Sequence, residues 1–336
     1  MLNYHSSMCI EHLNANTQDN MALDDQSRNW LISWFGKNVK FDEPMSRHTS
    51  LRIGGPAEAY ITPETTKDLI SIVKWSLQIG IPYLIVGDGT NLLVKDGGIR
   101  GIVIVLKKCL DKITRTAELE EDVVVTAEAG ARMSALCRFA ITRGLEGMNF
   151  ALGIPGSVGG GIMMNAGTSH GWVENVLDSI TVLEATGRIR EITREKLDFS
   201  YRSLSWPGKE NLVAAGQPVI LNGCFRLKPS DSVRLKEEAE AILEKRRKNQ
   251  PVDLPSAGCF FKNPAAGKTA GQLVELAGLK GKTIGDAEIS TKHANFIINR
   301  GKASAADCLA LMVLVQETVS EKFNINLEAE VQIVGS

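Results

Sequence analysis

The chain has 336 residues, of which 43% are hydrophobic and 23% are charged, and its formal net charge is −1. This length favours two or three domains, and the near-neutral charge excludes the electrostatic footprint of a nucleic-acid-binding protein. The six cysteines form no C-x-x-C pair, which argues against zinc and a disulfide framework and favours a reducing compartment. No apolar run is long enough to span a bilayer. The sequence therefore predicts a cytoplasmic protein without membrane insertion.

The first half of the chain alternates between helical and strand patterns. Residues 1–26 are polar and aperiodic, and we expect them to form a loose extension. The predicted elements are a helical pattern over 27–41, a strand over 57–62, a helix over 65–79, strands over 81–87, 99–106 and 122–130, and a helix over 131–143. This alternation of β-branched runs with amphipathic segments indicates mixed α/β structure.

The second half contains a predicted hairpin and then a change in composition. The predicted elements are strands over 177–184, 188–193 and 219–227, helices over 231–248, 268–277 and 304–322, and a closing strand over 325–334. The chain becomes more charged after the strand that ends at 227, so we expect a domain boundary near 228. The basic run Lys245–Lys248 lies at the end of a helical pattern, where cations complement the helix dipole, and predicts a solvated helix end.

Two glycine-rich segments carry the strongest chemical signal. The first glycine loop, Gly87–Asn91, reads GDGTN and directly follows a buried strand. Exposed N–H groups in a tight turn at that position favour an anion-binding nest, although the sequence is neither a dinucleotide fingerprint nor a P-loop. The glycine run, Gly153–Gly167, reads GIPGSVGGGIMMNAG and couples bare backbone to apolar side chains. It predicts a backbone-lined cofactor cradle, with a tight turn packed into the core as the alternative.

Seven ordered motifs identify a family. They read HTSLRIGGPA (48–57), GDGTNLLV (87–94), GLEGMNFALGIPGSVGGGIMMNAG (144–167), YRSL (201–204), SAGCFFKNP (256–264), HANFIIN (293–299) and LEAEVQIVG (327–335). In this order they resemble the UDP-N-acetylenolpyruvoylglucosamine reductases (MurB), flavoenzymes of peptidoglycan precursor synthesis. The chain lacks an inserted tyrosine-bearing loop in the substrate domain, and in this it resembles the shorter, type II branch of the family.

The resemblance implies an α+β fold. Its FAD-binding domain is of the vanillyl-alcohol-oxidase (PCMH) type in two subdomains, followed by a smaller α/β substrate-binding domain. The expected ranges are 27–108 and 109–228 for the subdomains and 229–336 for the substrate domain. The implied partners are non-covalent FAD, NADPH as co-substrate and a UDP-sugar, with no nucleic acid, and we expect a monomer.

The resemblance also implies which residues hold the cofactor. The diphosphate would be held by Gly87, Gly89, Thr90, Asn91 and Leu92. The flavin would be lined by Gly153, Ile154, Pro155, Gly156, Val158, Gly159, Gly160, Ala166 and Gly167. A flat, largely apolar ring needs apolar walls and a diphosphate needs bare N–H groups, so the residue types agree with these roles. The protein tunes the flavin, which performs the hydride transfer.

Three residues match the family's catalytic positions. Arg202 would clamp the substrate carboxylate or the developing enolate. Cys259, where the family often has serine, would donate the proton. Glu330 would stabilise the enol or relay a proton. The alternation over 325–334 puts Glu328 and Glu330 on one face and leaves both open, whereas the family pattern selects Glu330.

Further matches are weaker. Tyr201, Lys262 and Asn263 match positions near the substrate diphosphate. His293 and Asn295 match a family motif, and we interpret His293 as a core residue rather than a catalytic base. Arg52 is expected near the flavin or the NADPH phosphate.

Two rival functions remain open at this stage. One is a flavin-dependent oxidase or dehydrogenase of the same fold acting on a sugar or hydroxy acid. Such relatives often hold flavin covalently through His or Cys near the first glycine loop, and neither residue occurs between 49 and 108. The other is a non-catalytic nucleotide-sugar-binding protein, which predicts loss of the Arg202, Cys259 or Glu330 matches.

Overall fold

The structure is a computed structural model that describes residues 22–209, 217–265 and 267–336, so most of the expected extension and Cys9 lie outside it. The helices of the described residues are α1 (Asp25–Phe35), α2 (Thr66–Ile79), α3 (Met133–Thr142), α4 (Val158–Met163), α5 (Ser232–Asn249), α6 (Ala270–Leu276) and α7 (Ala305–Phe323). None of these helices combines the length and apolarity that crossing a bilayer would require. Short 3₁₀ turns occur between several of the elements.

The strands fall into three main sheets and three short pairs. In the first half they are β1 (Val39–Pro44), β2 (Pro56–Ile61), β3 (Tyr83–Val86), β4 (Leu92–Val94), β5 (Ile99–Val105), β6 (Ile113–Glu118), β7 (Val123–Glu128), β8 (Leu145–Glu146), β9 (Gly167–Thr168) and β10 (Gly171–Trp172). In the second half they are β11 (Leu177–Leu183), β12 (Ile189–Thr193), β13 (Asp198–Ser200), β14 (Ser203–Ser205), β15 (Val219–Pro229), β16 (Ser256–Cys259), β17 (Thr283–Ile284), β18 (Ala287–Ile289), β19 (Phe296–Asn299) and β20 (Gln332–Val334).

The first sheet has the strand order β1-β2-β5-β3, with α2 connecting β2 to β3. Helix α2 begins with a capping box in which Thr65 and Asp68 satisfy each other's backbone N–H groups, and it ends at Gly80 with a φ of 71°. The expected helix over 65–79 is thus confirmed. The helical pattern over 27–41 is wrong at its end, because residues from Val39 onward pair with β2 as an antiparallel strand.

The second sheet is antiparallel, with the order β12-β11-β15-β7-β6. The expected hairpin is confirmed as β11 and β12, with Ser179 opposite Thr193 and Leu183 opposite Ile189. Strand β6 has no apolar alternation and is mostly exposed, which explains why the sequence pattern did not predict it. One face of the first sheet shares a continuous core with the second sheet and α3, whereas its other face, with Tyr60, Val86 and Val103, belongs to a separate smaller cluster.

The third sheet has the order β16-β19-β18-β17 and carries its own core with α6 and α7. Helix α7 begins at a capping box formed by Ser304 and Asp307, which confirms the expected helix over 304–322. Helix α5 packs against the core of the first two sheets. It contacts α3, and its Ala239 is buried in the core of the first two sheets.

The predicted strand over 325–334 is mostly wrong. Only β20 is a strand, and it pairs in parallel with β4, with Gln332 opposite Leu92. Ala329 forms an isolated bridge with Phe261, and the residues between them are irregular. The alternation seen in the sequence reflects burial of Leu327 and Val331 against the third core rather than a continuous ladder. The consequence is that the end of the chain returns to the strand that follows the first glycine loop.

Candidate functional site

The two glycine-rich segments lie in contact. The Thr90 hydroxyl of the first glycine loop donates a hydrogen bond to the carbonyl of Pro155 in the glycine run, at 3.1 Å. A Cβ atom added to Gly156 would lie 2.9 Å from the Thr90 hydroxyl oxygen, and one added to Gly87 would overlap the side chain of Ser157. Both glycines are therefore needed for the close approach of the two segments. The sequence prediction that they form one site is supported by this geometry.

The first glycine loop connects β3 to β4 and is built to bring backbone N–H groups to an anion. Gly89 has a φ of 61°, and a Cβ atom there would overlap the carbonyl oxygen of His48. In the described parts of the chain, the N–H groups of Asp88, Gly89 and Thr90 donate to no acceptor. Unpaired N–H groups in a tight turn form a nest that suits a phosphate. Below the loop, His48 is hydrogen-bonded to the buried Glu43 at 2.9 Å.

The glycine run contains the short helix α4, which the sequence analysis did not predict. The Ser157 side chain caps it by accepting a hydrogen bond from the Gly160 N–H at 3.2 Å. A Cβ atom on Gly159 would lie 2.8 Å from that of Ala129, so the helix packs directly on the residues following β7. Ser157 was the available sequence signal for the start of this helix. The glycines that follow it have poor helix propensity, so the pattern did not predict a helix.

Arg202 and Glu330 form an ion pair. The guanidinium Nε of Arg202 lies 2.6 Å from a carboxylate oxygen of Glu330, and their side chains are only 18% and 12% exposed. The Nη1 group of Arg202 donates to the carbonyl of Gly167, at 3.3 Å, in the glycine run. The rings of Trp172 and Tyr201 lie 5.2 Å from the guanidinium carbon. Arg202 is thereby fixed between the glycine run and the end of the chain.

The backbone of Arg202 is itself unusual. It occupies the second position of the two-residue turn between β13 and β14 and has a φ of 59°. This left-handed region favours glycine or asparagine, and an arginine there costs about 1 kcal/mol. Strain of this kind at a buried, hydrogen-bonded charge is typical of functional sites.

The structure distinguishes the two carboxylates that the sequence left open. Glu328 is 66% exposed and pairs with Lys262 at 3.2 Å. Burial raises the pKa of Glu330, and the Arg202 charge opposes this effect. The Asn91 side chain of the first glycine loop donates to the backbone carbonyl of Glu330 at 3.2 Å. Glu330 is therefore the carboxylate held at the junction of the two glycine segments.

Cys259 is the last residue of β16, and the charges of Arg202 and Glu330 act on its thiol. Burial raises the pKa of its thiol to about 12, the Glu330 charge adds to this, and Arg202 and Arg246 oppose it. Asn295 holds the adjacent chain, since its side chain accepts from the N–H of Phe261 at 3.0 Å and donates to the carbonyl at 2.8 Å. A thiol of this pKa remains protonated at neutral pH.

The three expected substrate-binding residues are neighbours. The N–H of Asn263 lies 3.5 Å from the Tyr201 hydroxyl, and the Asn263 side chain accepts from the N–H of Ala270 at 3.0 Å. Lys262 pairs with Glu328, as described above. Tyr201 and Asn263 are exposed. These residues form a rim beside Arg202 and Cys259.

The remaining candidates are less central. His293 packs edge-on against Phe296, and burial lowers the pKa of its imidazole. This agrees with its interpretation as a core residue. Arg52 is exposed and has a φ of 56°, and its expected role near the flavin or NADPH stays a prediction.

Sequence reasoning missed Arg246. The basic run was expected to be solvated, yet the aliphatic stem of Arg246 lies against Gly153, 2.7 Å from where a Cβ atom would stand. Burial also lowers the pKa of its guanidinium. The signal was present in the helical spacing, because Ile242 and Leu243 precede it by four and three residues on the buried face.

Comparisons with known proteins agree with this geometry. A model of an FAD-binding domain matches residues 57–193, and a model of the UDP-N-acetylenolpyruvoylglucosamine reductase C-terminal domain matches residues 250–334. The reductase of Desulfosudis oleivorans is 45% identical over 93% of this chain and 100% of its own length. That of Geobacillus kaustophilus is 42% identical over 89% and 94%. The crystal structure of the reductase from Thermus caldophilus has a TM-score of 0.70 and 32% identity, covering 88% of this chain and 98% of that one.

The fold and site thus define an FAD-dependent oxidoreductase, with a flavin-binding domain of the vanillyl-alcohol-oxidase type and a second, smaller domain. The chain belongs to the UDP-N-acetylenolpyruvoylglucosamine reductase family. Its residues fit the cofactor, because the unpaired N–H groups of Asp88, Gly89 and Thr90 suit a diphosphate.

Proposed function

We propose that Arg202, Glu330 and Cys259 carry the chemistry by which this reductase converts UDP-N-acetylglucosamine enolpyruvate to UDP-N-acetylmuramate with NADPH. Bound FAD supplies hydride transfer between NADPH and the vinyl group of the substrate. The observation that carries the proposal is the partly buried Arg202–Glu330 pair, whose charged atoms lie 2.6 Å apart although the two residues are 128 positions apart in the chain. Both rivals considered from the sequence lack comparable support.

The first task of the protein is to hold charge beside the substrate carboxylate. Hydride addition to the terminal vinyl carbon leaves an electron pair on the adjacent carbon, which the carboxylate delocalises as an enolate. Arg202 donates from Nε to the Glu330 carboxylate and from Nη1 to the Gly167 carbonyl. Its remaining N–H donors bind the substrate carboxylate. A fixed cation in a partly buried site stabilises developing negative charge strongly.

The second task is protonation. Cys259 gives its proton to the carbon next to the carboxylate, which completes the addition of one hydride and one proton across the double bond. The thiolate left behind is stabilised by Arg202 and Arg246 and regains a proton from solvent. Glu330, held by the Nε group of Arg202 at 2.6 Å, stabilises the enol or relays a proton.

The binding roles follow the same division. Gly87, Gly89, Thr90, Asn91 and Leu92 hold the FAD diphosphate, and residues of the glycine run line the flavin. Tyr201, Lys262 and Asn263 bind the substrate diphosphate at the rim. The enzyme acts in the cytoplasm as a monomer on a diffusible UDP-sugar.

The domain division proposed from the sequence needs one adjustment. The ranges 27–108 and 109–228 correspond to the first two sheets, but α5 packs on α3 rather than on the third sheet. We place the start of the substrate domain after α5, near Gln250. This is also where the match to the reductase C-terminal domain begins.

The test is a two-step spectroscopic experiment. Purified protein should contain a dissociable flavin whose absorbance is bleached by NADPH without oxygen. Subsequent addition of the enolpyruvyl substrate should restore the absorbance. A covalent flavin reduced by a free sugar would contradict the reductase assignment. Restoration at the normal rate in Cys259→Ala would contradict the proton-donor role alone.

A further inference from the structure

The basic run at the end of α5 contains one residue that differs from its neighbours. Lys245, Arg247 and Lys248 are exposed, and Lys248 pairs with Glu244 at 2.8 Å. Arg246 is half-buried. Its guanidinium has no hydrogen-bond acceptor or carboxylate partner within residues 22–209, 217–265 and 267–336. A half-buried cation without a protein partner is typical of a site for an anionic ligand.

The position of Arg246 relates it to the reaction centre. A Cβ atom on Gly153 would lie 2.7 Å from Cδ and 2.8 Å from Nε of Arg246, so the side chain crosses the start of the glycine run. Gly153 also has a φ of 73°, which suits glycine. The charge of Arg246 also opposes the rise in the pKa of the Cys259 thiol. Arg246 thus contacts the flavin-lining segment, and its charge acts on the proposed proton donor.

The charges of the site explain what Arg246 would bind. Arg202 is paired with Glu330 and Lys262 with Glu328. The substrate carries a carboxylate and a diphosphate, and Arg246 adds to Arg202 and Lys262 a positive charge that no carboxylate of the described residues compensates. Arginine presents a planar fork that matches two oxygens of either group.

We infer that Arg246 is a further substrate-binding residue, which holds an anionic oxygen of the UDP-sugar beside Cys259. The inference rests on the proposed function, because it concerns the substrate of that reaction. It adds a second arginine to the substrate site, contributed by α5 rather than by the substrate domain.

The test compares Arg246→Gln with the matched control Arg247→Gln, which removes the adjacent exposed charge. For Arg246→Gln, the KM for the enolpyruvyl substrate should rise about 10- to 100-fold, the loss expected for a charged hydrogen bond. Reduction of the flavin by saturating NADPH should be unchanged. Arg247→Gln should stay within about twofold of wild type, as expected for an exposed charge. Arg246→Lys keeps the charge and should recover part of the affinity.

Binding of UDP by calorimetry separates the two sources of the anion. Weaker UDP binding in Arg246→Gln identifies the diphosphate. Unchanged UDP binding together with a raised KM for the enolpyruvyl substrate identifies the carboxylate.

Each of the following results would overturn the inference. One is an unchanged substrate KM in holoenzyme carrying Arg246→Gln. Another is a rise confined to the KM for NADPH but not NADH, which would assign Arg246 to the NADPH phosphate. A variant that loses only melting temperature or FAD content, with a normal KM per bound flavin, would also count against it. If wild type and Arg247→Gln both lacked turnover, the proposed function itself would fail.

Discussion

Replacing Gly89 by alanine tests whether the first glycine loop is built around its backbone. Gly89 has a φ of 61°, so any side chain there costs about 1 kcal/mol. The added Cβ atom would also overlap the His48 carbonyl oxygen and lie 3.0 Å from Cα of Thr49. Both obstacles belong to backbone, so the loop must move, at a further cost of about 1–3 kcal/mol. A displaced loop no longer presents its N–H groups to the diphosphate.

We therefore expect Gly89→Ala to weaken FAD binding about 30-fold or more, the equivalent of about 2 kcal/mol. The assay is fluorescence titration of apoprotein with FAD, together with the melting temperature of the apoprotein. Gly80→Ala is the matched control, because Gly80 has a φ of 71° but nothing within 4 Å of an added Cβ. It should lose about 1 kcal/mol of stability and no FAD affinity. Wild-type FAD affinity in Gly89→Ala would refute the reasoning.

Further outcomes are expected for three variants and for the pH profile of the wild type. Cys259→Ala should slow reoxidation of the flavin by substrate about 10²- to 10⁴-fold and leave its reduction by NADPH intact. Since the Cys259 pKa is about 12, wild-type activity should show no alkaline loss from this thiol below about pH 9; a loss there would contradict the assignment. Arg202→Gln should destabilise the protein by about 1–3 kcal/mol at neutral pH, because a partly buried, ionised Glu330 loses its partner. The folded pKa of Glu330 then rises further, so the deficit in melting temperature should grow as pH increases from 5 to 8; a deficit independent of pH would contradict it. Asp96→Asn should lower the free energy of unfolding by about 1 kcal/mol, measured by thermal unfolding. The reason is that the two carboxylate oxygens of Asp96 accept hydrogen bonds from the N–H groups of Ala305 and Ala306 at the start of α7. A loss no larger than that of the exposed control Asp253→Asn would contradict this prediction.

Local signals predicted the elements that have caps or a clear apolar period. Helices α2 and α7 begin directly after Thr65 and Ser304, whose side chains form the capping boxes, and the β11–β12 hairpin follows the alternation of its residues. The segments that the sequence mispredicted depend on distant partners. Val39 forms a strand because β2 lies beside it, and only residues 332–334 of the closing segment find a strand to pair with.

The candidate site also depends on contacts between residues that are distant in sequence, which local patterns do not reveal. Motif resemblance named the residues, but residue patterns alone could not choose between Glu328 and Glu330. The choice depends on Arg202, which a strained hairpin turn places next to Glu330 from a remote part of the chain. Arg246 escaped notice because three exposed cations surround it in sequence, and only the packing of α5 shows which of them faces inward.

The pairing of β20 with β4 has a consequence for how the enzyme is made. Asn91 and Glu330, which are hydrogen-bonded, are 239 residues apart in sequence. During synthesis, the first glycine loop leaves the ribosome long before the strand that completes its edge. Contacts of such separation form late, since the intervening chain must be ordered first. We expect nascent chains that end before β20 to expose an unpaired strand edge at β4. Such chains should depend on chaperones until translation is complete.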